Sequence, residues 1–138
     1  MPSGRTHDII TAITTPIVGY LTYTVSHNIT DTIILLLAFL FASLMFNGDL
    51  DIDSRPYRRW SILRFIWLPY RKLFDHRSIW THGILIGTII RLFYVSPIIL
   101  FVVLNLNINF TVYLTIFIGL EIGNSLHTIS DKIWSTIL

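Results

Sequence analysis

The sequence contains no cysteine and few charged residues. The lack of cysteine excludes disulfide bonds and thiolate metal ligands. Only 13% of the 138 residues are charged, whereas 53% are hydrophobic. So few charges do not cover the surface that a soluble helical bundle exposes to water. The formal net charge of +2 is also too small to indicate nucleic-acid binding. Composition therefore predicts a membrane protein that does not bind nucleic acid.

Four apolar runs predict an all-α fold, a polytopic membrane bundle of about four transmembrane helices. The runs cover residues 9–25, 32–46, 83–106 and 110–126. A helix needs about 20 residues to cross the hydrocarbon core upright. The first two runs are short, so we expect them to extend into their polar flanks. No linker, low-complexity tract or internal repeat divides the chain, so residues 1–138 are predicted to form one domain.

Positive charge is concentrated on one side of this predicted topology. Four spans place both termini and the loop 47–82 on the same side, which receives every Lys and Arg except Arg91. The positive-inside rule then predicts that the termini are cytoplasmic. Within the loop, residues 58–74 mix aromatic and basic side chains, as segments that lie among lipid headgroups do. We therefore expect an interfacial segment between the second and third helices, in contact with membrane lipids.

His and Asp residues collect on the same predicted face of the membrane, at the ends of all four runs. Each of them alone is more typical of a helix cap or an interfacial hydrogen bond. Together they indicate a functional site, because ionisable groups near a bilayer are costly without partners. Imidazole and carboxylate ligands without thiolate favour zinc, with manganese or iron as alternatives, and several carboxylates leave a two-metal site open. The residues are His7, Asp8, Asp49, Asp51, Asp53, Asp75, His76, His82, His127 and Asp131.

Two further features of the third and fourth runs predict how those helices pack. Arg91 and Glu121 lie at comparable depths if the two helices are antiparallel, so we expect them to form an ion pair or a short water bridge. The motifs GILIG and GLEIG each place two glycines four residues apart, which lets helix backbones approach closely. Those glycines are Gly83, Gly87, Gly119 and Gly123.

Four motifs, in order, resemble a known family. PSGRTHD, MFNGDLDIDS, WLPYRKLFDHRSIWTHG and GNSLHTISD are similar to small bacterial membrane proteins described as uncharacterised metal-binding proteins. More distantly, the chain resembles the LexA-regulated inner-membrane hydrolases, described as membrane-bound and metal-dependent. The resemblance implies a metal-dependent hydrolase of the bacterial inner membrane, with His76 and Arg77 beside the ligands or on the substrate. By position, it implies the metal ligands His7, Asp49, Asp51, His82, His127 and Asp131.

These observations predict a hydrolase whose site faces the cytoplasm. A divalent ion would activate water, with Asp53 or His76 as the general base. Arg77 and Arg55 would hold an anionic group such as phosphate, and a site at headgroup level suggests a phosphate ester or a lipid headgroup as substrate. Two alternatives stay open. One is a non-catalytic metal-binding protein, such as a sensor, chaperone or transport component, with a filled coordination sphere. The other is a structural membrane protein without metal.

Overall fold

The computed structural model describes residues 3–105 and 108–137, and this part of the chain contains helices and no strand. The all-α prediction is therefore confirmed. Two 3-10 helices, Gly48–Asp51 and Ser61–Trp67, lie between the α-helices. The last residue of the third apolar run, Leu106, lies outside the described residues. The α-helices are α1 (Gly4–Ser26), α2 (Ile29–Met45), α3 (Arg55–Arg59), α4 (Leu68–Leu73), α5 (Ile79–His82), α6 (Ile86–Tyr94), α7 (Ser96–Asn105) and α8 (Phe110–Ile137).

Three helical segments are long and apolar enough to cross a membrane: α1, α8, and α2 together with the 3-10 helix that follows it, as residues Ile29–Asp51. The pair α6 and α7 counts as a fourth if the two together form one bent span. Helix α1 extends beyond its apolar run into the polar N-terminal flank, and α2 begins three residues before its run, as expected for these two short runs. Helix α8 also continues beyond its run, to Ile137. The hydroxyl of Ser3 and the amide of Asn28 cap the N-termini of α1 and α2 by accepting hydrogen bonds from backbone N–H groups.

The third apolar run does not form one continuous helix. It divides into α6 and α7, whose axes meet at 71°, with the break at Val95. Pro97 lies in the first turn of α7, where its missing N–H costs nothing. The same ring would clash with the carbonyl of the fourth preceding residue if α6 simply continued. Residues 83–106 therefore do not form one continuous helix, and proline explains the break, although α6 and α7 together still qualify as one bent span.

The closest helix packing joins α8 to α2, through the GLEIG glycines. A Cβ added at Gly119 would lie 2.5 Å from the carbonyl oxygen of Leu35, and one at Gly123 would lie 2.7 Å from that of Phe39. The contacts advance in the same direction along both helices, so α2 and α8 run parallel. We expected these glycines to contact the third run, and that partner is wrong. The GILIG glycines contact carbonyl oxygens of α5, within their own segment.

The segment between α2 and α5 folds back onto the end of α2. Trp67 is fully buried, and its ring contacts those of Phe46, Trp60, Tyr70 and Tyr94 at centroid distances of 5.2–5.6 Å. Edge-to-face and offset aromatic contacts of this kind stabilise a core beyond the area they bury. One side of the predicted interfacial segment is thus anchored in the bundle, which leaves its other side exposed.

Candidate metal centre

Three sequence-distant segments carry the His and Asp side chains that meet at one end of the bundle. The 3-10 helix after α2 carries Asp49 and Asp51, α5 ends at His82, and α8 carries its His and Asp in its last turns. The first of these segments is fixed by Asn47, whose side-chain oxygen accepts from the Asp49 N–H at 3.1 Å while its Nδ2 donates to the Ser43 carbonyl at 2.8 Å. Both bonds hold the acidic turn against the end of α2.

Four side chains converge closely enough to hold one ion: Asp49, His82, His127 and Asp131, with ligand atoms all within 4.8 Å of one another. Asp49 Oδ1 lies 3.3 Å from His82 Nε2 and 3.4 Å from His127 Nε2. Asp131 Oδ2 lies 3.8 Å and 3.6 Å from the same two nitrogens. A tetrahedral site with bonds of 2.0–2.2 Å separates its ligand atoms by about 3.3–3.6 Å. The spacing therefore fits a divalent ion.

The hydrogen bonding of these four residues also fits an ion. His127 is only 4% exposed, yet neither of its ring nitrogens has a hydrogen-bond partner in the described structure. The same holds for Asp131 Oδ2. Burying polar atoms without partners costs free energy, and a coordinated cation would satisfy His127 Nε2 and Asp131 Oδ2 together. Two imidazoles and two carboxylates form a donor set that divalent zinc, manganese and iron accept.

His7 approaches this group from α1. Its Nε2 lies 3.2 Å from Asp131 Oδ1, the oxygen that faces away from the two ring nitrogens. Its ring also lies against that of His127, with centroids 4.2 Å apart. His7 therefore contacts the four-residue group at its edge and ties α1 to the end of α8.

Asp51 and His76 form a second group on the other side of His82. His76 Nδ1 lies 2.8 Å from Asp51 Oδ1, and Asp51 Oδ2 lies 3.8 Å from His82 Nδ1. Asp51, His76 and His82 could themselves hold an ion. His82 Nδ1 also lies 3.0 Å from the Thr81 hydroxyl. The two ring nitrogens of His82 thus face different groups, Nε2 the four-residue group and Nδ1 the carboxylate of Asp51.

The direct ion pair predicted between Arg91 and Glu121 is wrong, because their charged atoms are not within 4.0 Å of each other in the described structure, and the alternative of a short water bridge stays a prediction. Arg91 is buried and donates from Nη1 to the Thr81 carbonyl at 2.6 Å. Glu121 accepts from the Leu85 N–H at 2.8 Å and from the Ser125 hydroxyl at 3.0 Å. Each charge binds backbone at the break between α5 and α6, where carbonyl and N–H groups lack helical partners. Arg91 thereby supports the turn that carries His82.

Three residues predicted to act on the substrate lie outside the four-residue group. Asp53 is exposed and receives two hydrogen bonds of 2.9 Å from Arg58, which lower the pKa of its carboxyl below the usual range. Arg55 donates to Asp8 Oδ2 at 2.7 Å. Arg77 is exposed, and its φ of 61° places it in the left-handed region, in the turn before α5.

Two further residues shape the site, and sequence reasoning missed the first of them, Gly48. Gly48 lies directly against the imidazole of His82, because a Cβ added there would lie 2.9 Å from three of its ring atoms. Asn124 on α8 donates from Nδ2 to the Thr88 hydroxyl on α6 at 3.0 Å, which joins the two helices below the site. No local pattern in the sequence marks Gly48, since its contact with His82 depends on tertiary structure.

A helical bundle with apolar, membrane-length helices and a buried cluster of His and Asp side chains defines a class of metal-binding proteins. Residues 2–112 match the family model described as "Uncharacterized metal-binding protein (DUF2227)", so the chain belongs to this family and the first resemblance is confirmed. The match includes His7, Asp49 and His82 and ends before His127 and Asp131. The more distant resemblance to LexA-regulated hydrolases stays a prediction.

One relative extends this comparison. An uncharacterized protein of Aquifex aeolicus (strain VF5) is 37% identical over 59 residues, which make up 42% of this chain and 41% of that protein. The match therefore spans less than half of the relative. No solved structure matches the chain.

Proposed function

We propose that the chain is a metal-dependent hydrolase at the cytoplasmic face of the bacterial inner membrane, acting on a phosphate ester such as a lipid headgroup. The observation that carries the proposal is the convergence of two imidazoles and two carboxylates, with buried ligand atoms that lack hydrogen-bond partners. Their spacing suits tetrahedral coordination, and without thiolates we expect zinc, with manganese or iron as alternatives.

Asp49, His82, His127 and Asp131 are the proposed ligands. A bound divalent ion supplies Lewis acidity and lowers the pKa of a bound water. The resemblance also implies His7 and Asp51 as ligands. They reach the four-residue group through Asp131 and His82, so we assign them to orienting those side chains. A proton held on His82 Nδ1, which lies 3.0 Å from the Thr81 hydroxyl and 3.8 Å from Asp51 Oδ2, would leave Nε2 unprotonated and free to bind metal.

His76 is the proposed general base. Its side chain is 29% exposed, and the bond from its Nδ1 to Asp51 fixes the ring beside His82. Asp53 is the weaker candidate, because Arg58 engages both of its oxygens and keeps its pKa low. Arg77 follows His76 directly and is exposed, so its guanidinium is placed to bind an anionic substrate group.

A non-catalytic metal site is the second candidate function, and one observation favours it. Four protein ligands fill a tetrahedral coordination sphere, whereas catalytic zinc sites use three and keep the fourth position for water or substrate. A sensor, chaperone or transport component would need all four. A hydrolase would need either one ligand that yields to water or a coordination number above four.

The first test is elemental analysis of the purified protein in detergent, comparing the wild type with His82→Ala and His127→Ala. We expect about one zinc, manganese or iron ion per chain in the wild type and a loss in both variants. His27→Ala is the matched control, because His27 lies at the opposite end of α1. Folded wild-type protein that takes up no metal would exclude both metal-dependent functions and leave the structural role.

The second test separates catalysis from metal storage. Metal-loaded wild type and His76→Ala are assayed against phosphate monoesters, phosphate diesters and phospholipids. A hydrolase should turn over one of these classes, and His76→Ala should lower kcat by about 10²–10⁴-fold while it retains the ion. Full metal content with no turnover of any class would favour the non-catalytic site.

A further inference from the structure

A basic groove lies in the segment between α2 and α5, separate from the metal centre. It has a volume of about 780 Å³ and is bounded by α3, the 3-10 helix Ser61–Trp67 and α4. Three arginines line it, Arg58, Arg64 and Arg71, and Asp53 is the only acid among its described lining residues. Three cations and one anion leave the groove with a local charge of +2. None of the proposed metal ligands lines it.

Two of the three guanidinium groups are held in place by the protein. Arg58 forms a two-bond ion pair with Asp53. Arg71 lies over the ring of Tyr57, with its guanidinium carbon 4.6 Å from the ring centroid, and Tyr57 itself is buried. Arg64 has no carboxylate within 4.0 Å in the part of the chain that the structure describes. The groove therefore presents one guanidinium fixed by stacking and one without an acidic partner.

One wall of the same groove is apolar and exposed. Ile62 is 82% exposed, Phe65 58% and Leu68 46%, although all three are large hydrophobic side chains. Exposed apolar groups beside arginines are typical of segments that lie in the headgroup layer of a membrane. Inorganic phosphate has no apolar atoms that could contact this wall. A phospholipid does, because its glycerol and acyl carbons can pack against the wall while its phosphate contacts the arginines.

We propose that this groove binds the phosphate group of an anionic phospholipid, with Arg64 and Arg71 on the phosphate oxygens and the apolar wall against the lipid carbons. Arginine donates two parallel hydrogen bonds to phosphate, which suits a groove that presents two free guanidinium edges. The bound lipid would fix α3 at the membrane surface. Because the Ser54 hydroxyl at the start of α3 donates to the Asp49 carbonyl at 2.6 Å, it would also steady the metal-binding turn.

The test is titration of the full-length protein, in zwitterionic detergent, with short-chain phosphatidylglycerol. We expect saturable binding by the wild type and an affinity about thirty-fold lower for the double variant Arg64→Gln/Arg71→Gln, given the usual contribution of a cation near anionic lipid. Arg64→Gln alone, which removes no ion pair, should lower the affinity about five-fold. Both variants should keep the wild-type metal content, so this outcome is independent of the proposed function.

Lys72→Gln is the matched control, because it removes the same charge from the exposed residue next to Arg71, outside the groove. It should bind phosphatidylglycerol within two-fold of the wild type. If Lys72→Gln lowered the phosphatidylglycerol affinity as much as Arg64→Gln does, the proposal would be overturned, since binding would then depend on general surface charge and not on the groove. Inorganic phosphate binding as tightly as phosphatidylglycerol would overturn the choice of a lipid, as would equal binding of short-chain phosphatidylcholine.

Discussion

At the scale of single residues, the geometry of the metal centre depends on how His82 is held. Its ring lies between Asp49 on one side and Asp51 on the other, and the hydroxyl of Thr81 contacts its Nδ1. The face of the ring rests on the backbone of Gly48, where no side chain fits. If His82 is a ligand as proposed, a ring confined in this way would need little reorganisation on binding an ion, which favours affinity.

Replacement of Gly48 by alanine should therefore weaken metal binding without removing a ligand. The added Cβ would lie 2.9 Å from three ring atoms of His82, so the imidazole must move by several tenths of an ångström. We expect the affinity for zinc to fall by about 10–100-fold, as it does when groups that orient a ligand are changed. Titration against a competing chelator measures the change.

Gly19→Ala serves as the control for this variant. A Cβ at Gly19 would contact the flexible Leu36 side chain at 3.1 Å, far along the chain from the metal ligands. We expect its zinc affinity to match the wild type. Wild-type affinity in Gly48→Ala as well would show that His82 does not bind the ion.

Much of the candidate site could be predicted from the sequence, because polar residues stand out in an apolar chain. Asp49, His127 and Asp131 come shortly after the end of an apolar run, and His82 comes directly before one. Their partners could not be predicted in the same way. Arg91 binds a backbone carbonyl, and which carbonyls lack a helical partner depends on where the helices break.

At the scale of helices, hydrophobic runs predicted the long elements and missed the short ones. The runs corresponding to α1, α2 and α8 form single helices, whereas the third run is divided near Pro97. Hydropathy did not predict this break, because it does not register the N–H group that proline lacks. Glycine spacing predicted close packing but not its partner. That partner is α2, where Ala38 and Ala42 repeat the small-residue spacing and leave room for α8.

The contact between α2 and α8 makes Gly119→Ala a sharp test of this packing. A Cβ at position 119 would lie 2.5 Å from the carbonyl oxygen of Leu35. This oxygen belongs to the helix backbone, so it cannot move away by a change of rotamer as a side-chain atom can. We expect the free energy of unfolding to fall by about 1–3 kcal/mol. Thermal unfolding in detergent measures it as a lower Tm.

Ile118→Ala is the matched control on the neighbouring position. Ile118 is 42% exposed, so its truncation leaves the contact between α2 and α8 unchanged. Its Tm should stay near that of the wild type. An unchanged Tm in Gly119→Ala would contradict the register described for these two helices.

At the scale of the whole molecule, the parallel arrangement of α2 and α8 constrains the path of the chain. Both helices end at the metal centre, so the start of α8 at Phe110 lies at the other end of the bundle. Between the end of α2 and the start of α8, the chain must therefore pass from the metal-centre end of the bundle to the opposite end. Within that stretch, α6 and α7 are the helices that qualify together as a span. We therefore expect the bent pair to cross the membrane, giving four spans and two cytoplasmic termini.

A chain without cysteine allows this topology to be tested by single introduced thiols. We expect Ser3→Cys, Lys72→Cys and Thr136→Cys to be protected from a membrane-impermeant maleimide in intact cells, since all three lie on the predicted cytoplasmic side. Thr30→Cys, in the first turn of α2 and on the opposite side, should be labelled.

Permeabilised cells provide the control, because all four thiols should then react. Labelling of Thr136→Cys together with Thr30→Cys would mean that α6 and α7 enter and leave on one side, so that only three helices span. Labelling of Lys72→Cys in intact cells would reverse the predicted orientation.

A bound ion would give this molecule a cross-link that its amino acids do not otherwise supply. An ion held by Asp49, His82 and the end of α8 would join segments up to 82 positions apart along the sequence. Such a bridge closes long loops, and a ligand bound only by the folded chain shifts the folding equilibrium by mass action. Metal supply would then govern how long the protein survives quality-control proteases in the membrane.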